Sequence, residues 1–467
     1  MQNKTAYVWG LFSRFAPSGI QLLTNMYLAR LLSPQDFGTI GVLAIIFTVS
    51  STLIDAGLGG SLIKEENLKN RDLSTITTFN LATAFLIYAI LYFSADCIEY
   101  YFNIEGIGTI LQLLSLTVII SSFSVVPNSL LIKACLFKTI FKISISSILI
   151  ASLVSLIMAH CGFGVYSLVW YQITYSMTQA VLSNIFSKYR IRFGFYLYSM
   201  KKLLPFGIYT SLITAMDAIY ENILTTLTGK YLNVKVAGYV SQSKRLDDAL
   251  SYSIAMTIGT VTFPILTRLR DSDEKFIVES ASIYKTIILL LTPLLMIVAA
   301  YSYEIIILLF GSNWGGASMY LAAFMFAGIF LAIEALLNGF IKAKCIVDKL
   351  ALITLVKRIL GIMVIIMTLI YNPIYVVYGY VLSTIIGFMM NAILYCQIMR
   401  INVLALTWRT IIYITPSIIV YLLIILFRFY CCDFIIQLAF TSFVTLVYYT
   451  IFLRIFNINI ISKLKSI

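Results

Sequence analysis

The sequence predicts an all-α polytopic membrane protein of about fourteen transmembrane helices, arranged as two parallel-related six-helix bundles followed by a C-terminal helix pair. Three observations predict it. Of 467 residues, 60% are hydrophobic and 11% charged, whereas soluble globular chains are about 45 to 50% apolar. The apolar runs are about 18 to 25 residues long, enough for a helix rising about 1.5 Å per residue to cross roughly 30 Å of hydrocarbon. A short corner also occurs twice in the chain. Runs such as "IGVLAIIFTV" do not alternate apolar with polar residues, which argues against the strands of a membrane β-barrel.

Taken in order, six spans begin near Tyr7, Gly38, Thr75, Ile107, Ile143 and Phe163 and make the bundle of residues 1–200. Six more begin near Leu203, Val236, Ala281, Ala317, Ala351 and Ile374 and make residues 201–400, and two begin near Thr410 and Phe434 within 401–467. The first run follows Lys4 as a signal peptide would, but Arg14 and Pro17 interrupt its core and no small-residue cleavage site precedes Arg30, so it reads as a retained span. Span two ends at "DAGLGG", where glycines permit close helix packing and Asp55 reads as structural. The link "ADCIEYYFNIEGIG" between spans three and four is acidic and aromatic, as suits an outer interface.

Basic residues orient the spans. With the N-terminus cytoplasmic, the inner segments hold 23 of the 33 Lys and Arg and the outer segments only four, Arg30, Lys230, Lys235 and Arg428. That asymmetry makes both termini cytoplasmic under the positive-inside rule. It accounts for the net charge of +13 as a face turned to anionic lipid, and excludes a nucleic-acid role, for which no groove-reading motif is present. Seven cysteines lack zinc or CxxC spacing, and the single histidine, His160, reads as an ordinary helix-end residue. No metal site and no cofactor are expected.

"ARLLSPQDFG" at 29–38 and "GKYLNVKVAG" at 229–238 align without a gap, pairing Arg30 with Lys230, Leu32 with Leu232, Ser33 with Asn233 and Gly38 with Gly238. Spans one and seven run in the same direction, so the match implies parallel repeats about an axis along the membrane normal. The junctions "GFGVYSLV" and "PIYVVYGYVL" extend it. Two such bundles make a transporter architecture that rocks between inward-open and outward-open states.

"LARLLSPQDFG", "DAGLGGSLIKEE", "VPNSLLIKACLFK", "GFGVYSLVWYQI", "GYVSQSKRLDDALSYSIAMTIGTVTFPILTRLRDS" and "ILLFGSNWGGASMYL" occur in this order over about residues 1–345. Together they resemble the Wzx-type polysaccharide flippases of the MATE-like (MOP) superfamily. The resemblance implies a MATE-like fold in a bacterial inner membrane. It also implies a cargo of undecaprenyl-diphosphate-linked oligosaccharide, carried from the cytoplasmic to the periplasmic leaflet, and association with polymerase and chain-length machinery.

Charges inside spans cost at least about 2.5 kcal/mol near the bilayer centre and so invite functional readings. Arg14 lies about seven residues into span one, with Pro17 and Gly19 following. Lys244 and Arg245 lie eight to nine residues into span eight, before Asp247 and Asp248; related lipid II flippases carry a cavity arginine in a similar "RL" context. Arg14, Lys244 and Arg245 are the candidate diphosphate ligands, because guanidinium donors grip phosphate oxygens in pairs. The structural alternatives are snorkelling for Arg14 and a local ion-pair cluster for the other two. Asp217 and Glu221, four apart on span seven, share a face, and Glu334 is a further buried acid with Asn338 one turn on. These three acids are candidates for a coupling Na+ or H+, with a structural network the competing reading. Lys285, Lys357 and Arg358 lie near cytoplasmic span ends and are expected to snorkel.

The function expected is lipid-linked oligosaccharide flipping by ion-gradient-driven alternating access, with no bond made or broken. No GxxxxGK[ST] motif points to ATP. The alternatives are a MATE-type multidrug or cation antiporter, which would favour acids over arginines in its cavity, and a membrane polysaccharide polymerase, which typically carries a large periplasmic loop not found here.

Overall fold

In the computed structural model, the backbone is described for residues 2–55, 57–252, 262–263, 265–345, 347–431 and 433–455. The side chains of 2–15, 206, 208–210, 252, 347–348, 434 and 451–455 fall outside that description, those of Arg14 and Tyr209 among them. Among the described residues the regular structure is helical. Among the described residues nine helices are long and apolar enough to cross a membrane, against the fourteen spans expected. The protein is a multi-pass membrane protein. Helices such as Tyr166–Ser187 and Leu197–Tyr231 are long enough but rich in hydroxyl, amide and acidic side chains.

By contact the chain forms two compact units, Met1–Gln242 with Ile307–Gly316, and Ser243–Ile306 with Ala317–Ile467. In the first, α1 (Gln2–Leu31), α2 (Pro34–Asp55), α3 (Leu58–Lys64), α4 (Asn70–Phe93), α5 (Ala95–Phe102), α6 (Ile107–Lys133), α7 (Phe137–His160), α8 (Tyr166–Ser187) and α9 (Leu197–Tyr231) follow one another, and α10 (Val234–Asp247) begins. The repeated corner explains how α2 meets α10. A Cβ on Gly38 would lie 1.9 Å from the Val234 carbonyl oxygen, and one on Gly238 would lie 1.9 Å from that of Pro34. The two corners therefore touch reciprocally, position 34 on 238 and 38 on 234, as an isologous contact does, and only glycine fits at either crossing. Both corners also carry N-caps: Ser33 Oγ accepts from the Asp36 amide at 3.3 Å while the Ser33 amide donates back to Asp36 Oδ2 at 2.9 Å, and Asn233 Oδ1 accepts from the Val236 amide at 2.8 Å.

The segment 307–316 closes this end of the unit. Trp314 is fully buried, its Nε1 donates to the Ala29 carbonyl at 2.8 Å, and its ring meets Phe37 edge-on. Arg30 donates to the carbonyls of Leu308 and Leu309. In the acidic link of residues 95–108, Glu99 is a cap: its two oxygens accept the amides of Gly106 and Gly108 at 3.0 and 2.9 Å, at the start of α6.

The second unit holds the end of α10, a π-helical turn at Asp248–Tyr252, α11 (Asp273–Ala300), α12 (Ser302–Phe310, shared with the first unit), α13 (Ala317–Ala343), α14 (Val347–Tyr371), α15 (Val376–Met399), α16 (Val403–Tyr430) and α17 (Phe434–Ile455). Lipid gives helices no hydrophobic drive to associate, so packing and interhelical hydrogen bonds hold them. Here α11 is studded with such bonds: Ser280 to Tyr395 (2.7 Å), Tyr284 to Thr410 (2.6 Å) and Thr292 to Ser417 (2.6 Å). Tyr448 and Tyr449 dock α17 by donating to the carbonyls of Leu289 and Leu290 on α11.

Candidate functional site

Lys244 and Arg245 sit half-buried on the last turn of α10. The helix does not simply continue: it widens into the π-turn at Asp248–Tyr252, a local defect that often marks functional positions. Asp247 is 1% exposed and accepts a 2.6 Å hydrogen bond from Ser251 across that turn. Gly328 of α13 makes room for both groups, since a Cβ there would lie 2.2 Å from the Ser251 hydroxyl and 2.7 Å from Asp247 Oδ1. Asp248 is exposed, with the Lys244 and Arg245 charges acting on it. Lys244 Nζ also lies 5.8 Å from the centre of the Tyr380 ring on α15, within cation–π range. Lys244 and Arg245 thus share one stretch with Asp247, which is sealed into the helix contact, and Asp248, which is exposed. The side chain of Arg14, the other candidate diphosphate ligand, lies outside the description.

Glu334 of α13 and Lys357 of α14 are both buried and paired, with Nζ 2.6 Å from Oε1. Lys357 therefore does not snorkel: the register of α14 against α13 aims it inward at a carboxylate rather than along lipid. Gly387 of α15 closes the layer, a Cβ there falling 2.7 Å from the second Glu334 oxygen. One turn on, Asn391 Nδ2 donates to Asn338 Oδ1 at 2.9 Å. Sequence reasoning found Glu334 and Asn338 but missed Lys357 as the partner and Asn391 altogether. The pairing depends on helix rotation, which spacing along one helix does not reveal.

In the first unit, Asp217 is half-buried and Glu221 exposed on α9. Nearby on that helix, Asn222 Nδ2 donates to Thr48 Oγ1 (3.3 Å) and Thr226 to the Val42 carbonyl (3.2 Å), both on α2. A recess of about 480 Å³ lies where α2 ends, walled by Ser51, Thr52, Asp55, Gly57, Gly60, Ile63, Ser211 and Thr214. Asp55 Oδ1 accepts the Gly59 amide at 2.8 Å and so starts α3 after the left-handed Gly57. Ser211 is buried with its hydroxyl lacking a hydrogen-bond partner among the described residues. Further along, Glu65 and Lys202 form a 3.0 Å ion pair between the α3–α4 link and α9. The lysine's hydrogen bond holds the Glu65 carboxyl below its ordinary value.

No group of metal-ligating side chains gathers among the described residues. The arrangement offers charge and hydrogen-bonding groups placed on membrane helices, suited to holding a charged head group.

A family of sequences described as polysaccharide biosynthesis protein matches residues 27–319. The chain is similar to the lipopolysaccharide biosynthesis protein WzxC of Escherichia coli (strain K12), at 22% identity, with 73% of this chain and 70% of that protein covered. Its fold is that of the lipid II flippase MurJ in an inward closed conformation: TM-score 0.77 at 15% identity, covering 96% of this chain and 99% of that one. An inward-facing multidrug resistance MATE family transporter of the MOP superfamily superposes with TM-score 0.62 at 13% identity, covering 86% and 99%.

Proposed function

The chain belongs to the polysaccharide biosynthesis protein family, and we propose that it flips undecaprenyl-diphosphate-linked oligosaccharide repeat units from the cytoplasmic to the periplasmic leaflet of a bacterial inner membrane. It is a member of a transporter family rather than an enzyme. The observation that carries the proposal is the conjunction of that family match with a MurJ-like fold over nearly the whole chain. The Lys and Arg distribution supports cytoplasmic termini. Both Lys244 and Arg245 are accessible, and forked guanidinium donors suit a diphosphate. Such a cationic pair disfavours a cationic drug as cargo.

Movement is by alternating access, with a Na+ or H+ gradient as the energy source. Asp217 and Glu221 are the proposed coupling acids on α9, whereas the charge of Glu334 is balanced by Lys357. Polymerase and chain-length proteins are the proposed partners downstream. A deletion strain complemented with Arg14→Ala or Arg245→Ala, and assayed for lipid-linked repeat units by leaflet, tests the proposal. Accumulation on the cytoplasmic side is expected, with transport reduced at least tenfold in each variant. Full complementation by both variants defeats the anion-ligand role, and unpolymerised units already outside defeat flipping itself.

A further inference from the structure

Residues 188–196, between α8 and α9, run along α4 without forming a helix of their own. Hydroxyls on α4 hold this strap in place. Thr78 both accepts from the Gly194 amide (3.0 Å) and donates to its carbonyl (3.3 Å), Thr75 accepts from the Tyr196 amide (3.1 Å), and Thr77 meets the Tyr189 hydroxyl (2.8 Å). Between strap and helix lies a cavity of about 280 Å³, whose lining includes Asn70, Ser74, Lys188, Arg190 and Arg192. Those three cations make no ion pair among the described residues. All three are exposed, and positive charge left uncompensated around a polar cavity is a site for an anion.

The flanks say which anion. Ile191, Phe193, Phe195, Leu197 and Tyr198 are all exposed, so basic and large apolar side chains share one short stretch. A strap with that composition lies at the boundary of headgroups and acyl chains, its apolar groups in lipid and its cations at phosphate depth. We propose that the cavity between α4 and the 188–196 strap binds the phosphate headgroup of an anionic phospholipid of the cytoplasmic leaflet, held by Lys188, Arg190 and Arg192. Basic pockets beside membrane helices take such headgroups by charge and forked hydrogen bonding. The proposal rests on the membrane orientation above but not on the cargo, because binding is read without transport.

The test uses the purified full chain in phosphatidylcholine nanodiscs with and without phosphatidylglycerol, read by thermal midpoint and by lipid retained in native mass spectrometry. Phosphatidylglycerol is expected to raise the midpoint of the wild type saturably. Arg190→Gln with Arg192→Gln should weaken its binding about 25-fold, from a roughly 5-fold contribution of each basic residue near a membrane surface. Arg190→Lys with Arg192→Lys should restore most of it. Lys142→Gln with Lys349→Gln, which removes equal charge elsewhere on the same side, should leave it unchanged. Retention by the glutamine pair, or equal loss in the control pair, overturns the site. Stabilisation by soluble inorganic phosphate alone overturns the lipid assignment. So does displacement of phosphatidylglycerol by undecaprenyl diphosphate, which would reassign the cavity to cargo.

Discussion

At the scale of single residues, the buried charges divide by what faces them. Glu334 and Lys357 neutralise one another in a buried contact, where the cost of desolvating two ions roughly cancels their attraction and the penalty for leaving one alone is large. Lys357→Ala is therefore expected to destabilise by about 3 to 5 kcal/mol, measured as detergent-solubilised unfolding. Glu334→Gln with Lys357→Met should recover most of that loss, since neither charge is then stranded. A wild-type midpoint in the single variant would show the pair to be energetically idle. Around Asp247 the logic differs, because among the described residues it is a hydroxyl, that of Ser251, that donates to it.

At the scale of elements, short links are fixed by specific polar contacts. Glu99 caps α6, Asp55 starts α3, and Glu65 with Lys202 ties the α3–α4 link to α9. The Glu65 carboxyl is lowered by Lys202, with burial opposing. A group depressed in the folded state stabilises above its unfolded value, 4.5 for this carboxyl, and that contribution is lost as pH falls through the lower folded value. The expected outcome is a small stability gap between wild type and Lys202→Met at neutral pH, closing as the medium is acidified below the carboxylate range. A gap constant across that range would show that the pair contributes nothing electrostatic; the pair is exposed, so the effect is modest.

At the scale of the whole molecule, the internal repeat has a physical consequence: the corner at 34–38 and the corner at 234–238 pack on each other. Gly38→Ala and Gly238→Ala each drive a Cβ into a carbonyl oxygen, and each is expected to cost about 1 to 3 kcal/mol or more, as overpacking does. The double variant should cost less than the sum, because the first substitution already opens the contact that the second would crowd; strict additivity in thermal unfolding would show that the two corners are independent. The sequence by itself determined the helical membrane fold, the repeated corner, the family resemblance and the positions of the charged residues, because hydropathy, capping residues and local motifs are written along one strand of chain. Only the tertiary structure decided that Lys357 meets Glu334, that Asn391 meets Asn338, that the repeated corners touch and that the 188–196 strap walls a basic cavity. Those facts depend on how each helix is rotated and slid against its neighbours, and every helix buried in lipid offers several apolar faces that would satisfy hydropathy equally well.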